Sequence, residues 1–155
     1  MRFEILFLGK TKESYLAAGI ADYATRLARY VPTEIKTVRD KKINRGQPEI
    51  LQIEKDSAAL MQSVQGTYLV CLDRTGRKID SAGLAAHLVR WQMQGQKKIS
   101  FIIGGHLGLS PAALQKADLV LSFSSMTFTH EMTRLLLLEQ LYRACTINAG
   151  EKYHK

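Results

Sequence analysis

The run from Ile99 to Ile103 passes without a polar break into Gly104 and Gly105, and Gly108 and Ser110-Pro111 follow within a few residues. Backbone lacking Cβ atoms turns tightly and lets a ligand approach the main chain. Ser-Pro is a pairing that opens a helix. A second apolar strand, Asp118 to Leu121, then empties into the polar, aromatic loop from Ser122 to His130. Ligands of open α/β sheets bind beyond the carboxyl ends of strands, so both loops are expected to line one pocket.

The rest of the chain alternates in the same way. Phe3 to Leu8 is an apolar run closed by Gly9, and Leu16, Ile20, Tyr23 and Leu27 recur at helical spacing between about Lys12 and Tyr30. Glu34 to Val38 reads as a second strand. Pro48 opens a helix whose core face is Ile50, Ile53, Leu60, Met61 and Val64, ending near Gly66. Tyr68 to Leu72 is a third strand, expected to stop at Asp73-Arg74-Thr75-Gly76, and Ser81 is placed to cap a helix with Leu84, Leu88 and Trp91 inward. Such alternation specifies an α/β fold, a mostly parallel sheet with helices on both faces, in a single domain spanning residues 1–155. Residue pattern alone suggests a flavodoxin-like strand order. The last helix, about Glu131 to Ile147, carries Leu135 to Leu138 in succession and needs cover on more than one side, which a second subunit in a twofold dimer would supply. Glu139 and Arg143, four apart, can pair.

Lys and Arg number 22 against 14 Asp and Glu, a formal charge of +8 that favours nucleic acid over a membrane surface as partner. The segment Lys36 to Arg45 concentrates this charge in a loop able to track phosphates. Cys71 and Cys145 have no CxxC spacing and read as buried reduced thiols of a cytoplasmic protein. The amino terminus reads as a strand and not a signal peptide, no run is long enough to span a bilayer, and no metal-ligand cluster is present in the pattern. A dinucleotide-binding oxidoreductase is disfavoured, because GGHLG lacks the GxGxxG spacing and no acidic residue ends a strand about 20 residues on.

Three segments together carry a resemblance: IGGHLGLS at Ile103 to Ser110, LSFSSMTFTHEMTRLLLLEQLYRA at Leu121 to Ala144, and the closing YHK at Tyr153 to Lys155. With them, the whole chain resembles the ribosomal RNA large subunit methyltransferase H family, of the SPOUT class of α/β-knot enzymes. The resemblance implies a homodimer that transfers a methyl group from S-adenosylmethionine to N3 of a pseudouridine in large-subunit (23S) ribosomal RNA, with the assembled ribosome as the expected substrate. It also implies a C-terminal trefoil knot, against the general rule that chains do not thread loops. Carried over by position, cofactor contacts fall on Leu72, Gly104, Phe123, Ser124, Ser125, Met126, Thr127 and Phe128, and Gly105 joins them in the glycine loop. The proline that the family commonly places before the histidine is Thr129 here, so the loop loses a fixed φ.

Methyl transfer from a sulfonium requires alignment and loss of the N3 proton more than covalent help. The candidates are Arg143, to stabilise an oxyanion or hold phosphate, and Tyr153 and His154 of the tail, with His154 as proton acceptor. His130 and His106 are further candidates. RNA contacts are assigned to Lys10, Lys12, Arg39, Lys41, Lys42, Arg45, Lys152 and Lys155, as cations that position phosphates without specifying sequence. The alternatives are a SPOUT methyltransferase acting on a transfer RNA nucleoside, and a ribosome-assembly factor that binds RNA without catalysis.

Overall fold

Strand β1, Arg2–Leu8, is buried from Phe3 onward and is inner to the sheet, as an uninterrupted apolar run requires. The computed structural model describes residues 1–39, 48–64 and 66–154. After β1 come α1 (Ser14–Leu27), β2 (Thr33–Val38), α2 (Glu49–Gln62), β3 (Tyr68–Lys78), α3 (Ser81–Met93), β4 (Lys98–Ile103), α4 (Pro111–Gln115), β5 (Leu119–Ser122) and α5 (His130–Asn148). The sheet has the order β2-β1-β4-β3-β5, and all its pairings are parallel.

Strand alternation sorts the core into two layers. Phe3, Ile5, Phe7, Val70, Leu72, Ile99, Phe101 and Ile103 meet the layer of α1, α3 and α5, while Leu6, Leu8, Leu69, Cys71 and Ile102 face α2 and the loop into α4. The α/β class with helices on both faces is as expected, but the flavodoxin-like order is not found. In that order β3 would separate β1 from β4; here β4 lies between β1 and β3, which puts the glycine loop at the middle of the sheet's carboxyl edge.

Three local readings are corrected. Of the face expected for α2, Leu60 and Val64 are buried and Met61 packs against the same core, but Ile50 is exposed and the helix turns Gln52, Asp56 and Ser57 inward instead. On the same side of the sheet by strand alternation, the buried Glu4 carboxylate accepts from Ser100 Oγ (2.7 Å), Lys36 Nζ (2.5 Å) and Lys98 Nζ (3.2 Å). Within α2, Gln52 donates to Asp56 at 2.8 Å, and Ser57 Oγ accepts the Ser110 amide at 2.8 Å, so the polar side chains on this face are buried with partners. Second, β3 does not end at Asp73. It bulges over Asp73 to Gly76 and rejoins β5, so that Leu121 pairs first with Leu72 and again with Arg77. Third, Asp80 and not Ser81 caps α3, accepting from the Gly83 amide at 2.7 Å.

The leucine run of α5 is largely covered within one chain. Leu137, Leu138 and Leu141 are fully buried against the sheet and α1 and α3, and Leu135 packs across Gly19. The expected Glu139–Arg143 pair forms at 2.6 Å.

Candidate active site

The carboxyl ends of β4, β3 and β5 are neighbours, and the loops that leave them enclose an open crevice of about 680 Å³. Its first wall is the glycine loop. A Cβ on Gly104 would stand 2.5 Å from the Gly108 carbonyl oxygen, so the loop folds onto its own backbone there. Gly108, at φ +84°, donates its amide to the Gly105 carbonyl at 3.0 Å to close the turn. On the far side Gly105 leans on β1, with Leu8 Cδ2 2.9 Å from where its Cβ would be.

The second wall is the loop after β5. Ser122 Oγ donates to the Ser124 carbonyl at 3.0 Å, the Met126 amide donates to Ser124 Oγ at 2.9 Å, and Lys78 Nζ donates to Ser125 Oγ. These bonds tie the loop down while leaving its apolar side chains open: Met126 is 74% and Phe128 41% exposed. Thr129 then caps α5, its Oγ1 accepting from the Met132 amide at 3.2 Å. The side-chain cap takes over the ordering that a fixed proline φ would have given.

The first turn of α5 brings His130 and Thr133 to the crevice and fastens the opposite side of the helix to the turn after β1. The Glu131 carboxylate accepts the amides of Lys12 (3.0 Å) and Glu13 (3.1 Å). Arg134, fully buried, donates to Thr11 Oγ1 at 2.9 Å and to the Leu8 carbonyl at 2.5 Å, and its guanidinium lies over the Phe7 ring. Burial works to raise the Glu131 pKa, but the two amides and Arg134 outweigh it and the carboxyl is held below its ordinary value. Burial, with the nearby Arg134 charge, pushes His130 below the ordinary histidine value and favours its neutral form.

The structure therefore brings Leu72, Gly104, Gly105, Phe123, Ser124, Met126, Thr127 and Phe128 around one crevice, while Ser125 is turned to Lys78 instead of lining it. Arg143 and Tyr153 stand elsewhere. Arg143 lies about 15 Å along α5 from Thr133 at 1.5 Å per residue. Its guanidinium is 4.6 Å from the Tyr153 ring, and Tyr153 bonds Glu139 (3.0 Å) and Tyr23 (3.1 Å), which fastens the tail to α1 and α5 of the same chain. Burial and these two partners push the Tyr153 phenol well up, and His154 is exposed beyond it. Lys10, Arg39 and Lys152 are exposed; Lys41, Lys42, Arg45 and Lys155 lie outside the described residues.

Asp73, Arg74 and Thr133 also line the crevice and were not singled out as site residues. The signal for the first two was at hand, since they immediately follow the apolar run of the third strand. Cys71 and Cys145 are buried, which raises their thiols to about 12 and about 11 and removes them as nucleophiles. Among the described residues no helix is long and apolar enough to cross a membrane and no His, Cys, Asp and Glu group could hold a metal ion.

Comparison with known proteins gives this geometry a context. Residues 1–154 match the family model described as Predicted SPOUT methyltransferase. The ribosomal RNA large subunit methyltransferase H of Desulfotalea psychrophila is 47% identical over the full length of both chains, and the protein of the same name from Halothermothrix orenii is 45% identical, again over all of both. Among solved structures, the tRNA (m1G37) methyltransferase of Aquifex aeolicus superimposes with a TM-score of 0.54 at 14% identity, over 92% of this chain and 69% of that one. That likeness is one of fold.

Proposed function

The chain belongs to the SPOUT methyltransferase family, and we propose that it transfers a methyl group from S-adenosylmethionine to N3 of a pseudouridine in large-subunit ribosomal RNA. The observation that carries this reading is the crevice where the glycine loop and the Phe123 to Phe128 loop meet over adjoining strand ends. Its volume of about 680 Å³ suits a nucleoside-sized ligand. Leu72, Phe123, Met126 and Phe128 offer apolar surface for the faces of an adenine, and the tightly folded backbone from Gly104 to Gly108 offers amides and carbonyls for its edge.

S-adenosylmethionine, when bound, supplies an already activated methyl on a sulfonium. This chain's residues have the remaining tasks of orienting two substrates, excluding water and removing one proton. The loop bonds of Ser122, Ser124 and Lys78 hold the crevice wall in place before any ligand arrives. His130, kept neutral by burial at the crevice edge, can accept a proton through its imidazole.

The protein works in the cytoplasm as a homodimer of single-domain chains, each with its C-terminal segment threaded as a trefoil knot. Arg143, Tyr153 and His154 reach a crevice as a set contributed by the opposite subunit: within one chain Arg143 and Tyr153 share a cluster remote from it, with His154 next along the tail, and the Tyr23, Glu139 and Tyr153 bonds keep that cluster rigid enough to be presented across a twofold axis. Target choice rests on the shape of assembled ribosomal RNA more than on base edges, because one small basic domain has little area for reading sequence.

The test is to incubate the protein with methyl-labelled S-adenosylmethionine and, in parallel, purified ribosomes, deproteinised ribosomal RNA and bulk transfer RNA, then to map modified nucleosides by mass. Label on a pseudouridine of large-subunit RNA, strongest with assembled ribosomes, is the expected result. Label in transfer RNA would move the target, and no label anywhere would leave an RNA-binding assembly factor.

A further inference from the structure

Because β4 lies between β1 and β3, the turns leaving the carboxyl ends of β1 and β3 flank the glycine loop, about 10 Å apart at two strand spacings. Both turns are cationic. Lys10 and Lys12 follow β1, and Arg74 sits in the bulge of β3; all three are exposed. Among the described residues none of the three forms an ion pair, whereas Lys36, Lys98, Arg26 and Arg143 are each committed to a carboxylate.

Both turns are also built to stay where they are. The Glu131 carboxylate holds the Lys12 and Glu13 amides, and Arg134 holds Thr11 and the Leu8 carbonyl. Across the glycine loop, Asp73 Oδ1 accepts from the Thr75 amide (2.8 Å) and hydroxyl (2.6 Å). Gly76 lies against β5 so closely that a Cβ would be 2.7 Å from the Val120 carbonyl. Arg74 itself lines the crevice. Rigid backbones with free cationic ends are the arrangement that positions a polyanion without reading it.

We propose that Lys10 and Lys12 on one side and Arg74 on the other form a two-armed phosphate clamp that draws a single RNA strand across the mouth of the crevice. The nucleotide between the two gripped phosphates then faces the methyl donor over the end of β4. The clamp rests on the RNA methyltransferase reading above. It adds Arg74, whose planar fork suits a phosphate, and it gives the lysines a defined opposite partner in place of diffuse surface charge.

The experiment measures binding of a fluorescein-labelled oligouridylate over a potassium chloride series, with circular dichroism melts to confirm that each variant is folded. Lys12→Gln and Arg74→Gln are each expected to lower the slope of log affinity against log salt by about 0.7, and the double variant by about twice that, as loss of single-strand phosphate contacts requires. Arg74→Lys keeps the parent slope, since it keeps the charge. Lys97→Gln, just before β4 at the opposite edge of the sheet, also keeps it. A parent-like slope in the double variant, or an equal fall in Lys97→Gln, overturns the clamp. Calorimetry of the unaltered protein with S-adenosylmethionine separates the two readings. Failure to bind there sinks the methyltransferase assignment, while donor binding with unchanged slopes sinks the clamp alone.

Discussion

The Arg134 guanidinium donates to the carbonyl of Leu8 at 2.5 Å, and the Leu8 side chain occupies the space beside Gly105 where a Cβ would come within 2.9 Å. The last residue of β1 is thus held between the first turn of α5 and the glycine loop. The glycine loop and the start of α5 therefore share one support.

Replacing Arg134 by Met keeps volume but leaves the Leu8 carbonyl and Thr11 without their buried donor. The expected cost is about 2–4 kcal/mol, from unsatisfied buried groups and lost packing on Phe7. Urea denaturation reads it directly. Arg134→Lys, which can reach only one acceptor at a time, should fall between Met and the parent.

Gly104 and Gly105 are not equivalent. A Cβ on Gly104 meets backbone, the Gly108 carbonyl, whereas one on Gly105 meets only the flexible end of Leu8. Gly104→Ala should therefore deform the loop and weaken S-adenosylmethionine binding by about tenfold or more, roughly 1.4 kcal/mol. Gly105→Ala should stay close to the parent. Calorimetric titration of both variants distinguishes them, and equal affinities would show that the loop's shape does not govern the crevice.

Thr129 has φ −63° and caps α5 through its hydroxyl. Thr129→Ala should cost about 1 kcal/mol of stability through loss of the cap. Thr129→Pro fits the existing φ, and its restriction of the unfolded chain offsets the missing hydroxyl, so its melting temperature should lie closer to the parent's than that of the alanine variant.

Acid should destabilise the fold in two stages. His130 and His87 are pushed below their ordinary value of 6.5 by burial and neighbouring arginines. Glu4 and Glu131 end below their ordinary value of 4.5, because lysine partners at Glu4 and backbone amides at Glu131 outweigh the upward push of burial. In each case the folded chain binds fewer protons than the unfolded chain, so stability rises with pH. The histidine share is lost as pH falls below 6.5 and the glutamate share as it falls below 4.5. Melting temperatures measured from neutral pH down to acid should decline throughout, and Glu131→Gln should flatten part of the lower limb; a level profile would contradict these shifts.

Much of this architecture was readable from apolar runs and glycines. The five strands and the two loops that meet at the crevice follow from runs such as Ile99 to Ile103 and from the polar stretch Ser122 to His130. Strand order was not readable, because no local pattern says that β4 and not β3 lies beside β1. The bulge of β3 was hidden for a related reason: Asp73 to Gly76 has turn composition, and only its pairing with Leu121 on both sides shows that the strand resumes. Part of the inward face of α2 was misread because Gln52, Asp56 and Ser57 have surface composition, and only the fold brings Ser57 onto the Ser110 amide and pairs Gln52 with Asp56 in the interior. Arg134 and Glu131 carry no local signal of their role, and only the fold brings them onto the turn after β1.

The most direct test of the site is a crystal structure grown with S-adenosylmethionine. Electron density for the ligand is expected in the crevice between the glycine loop at Gly104 and the Phe123 to Phe128 loop, against the end of β3 at Leu72. The same crystals showing that crevice free of ligand, with the molecule bound at another surface, would contradict it.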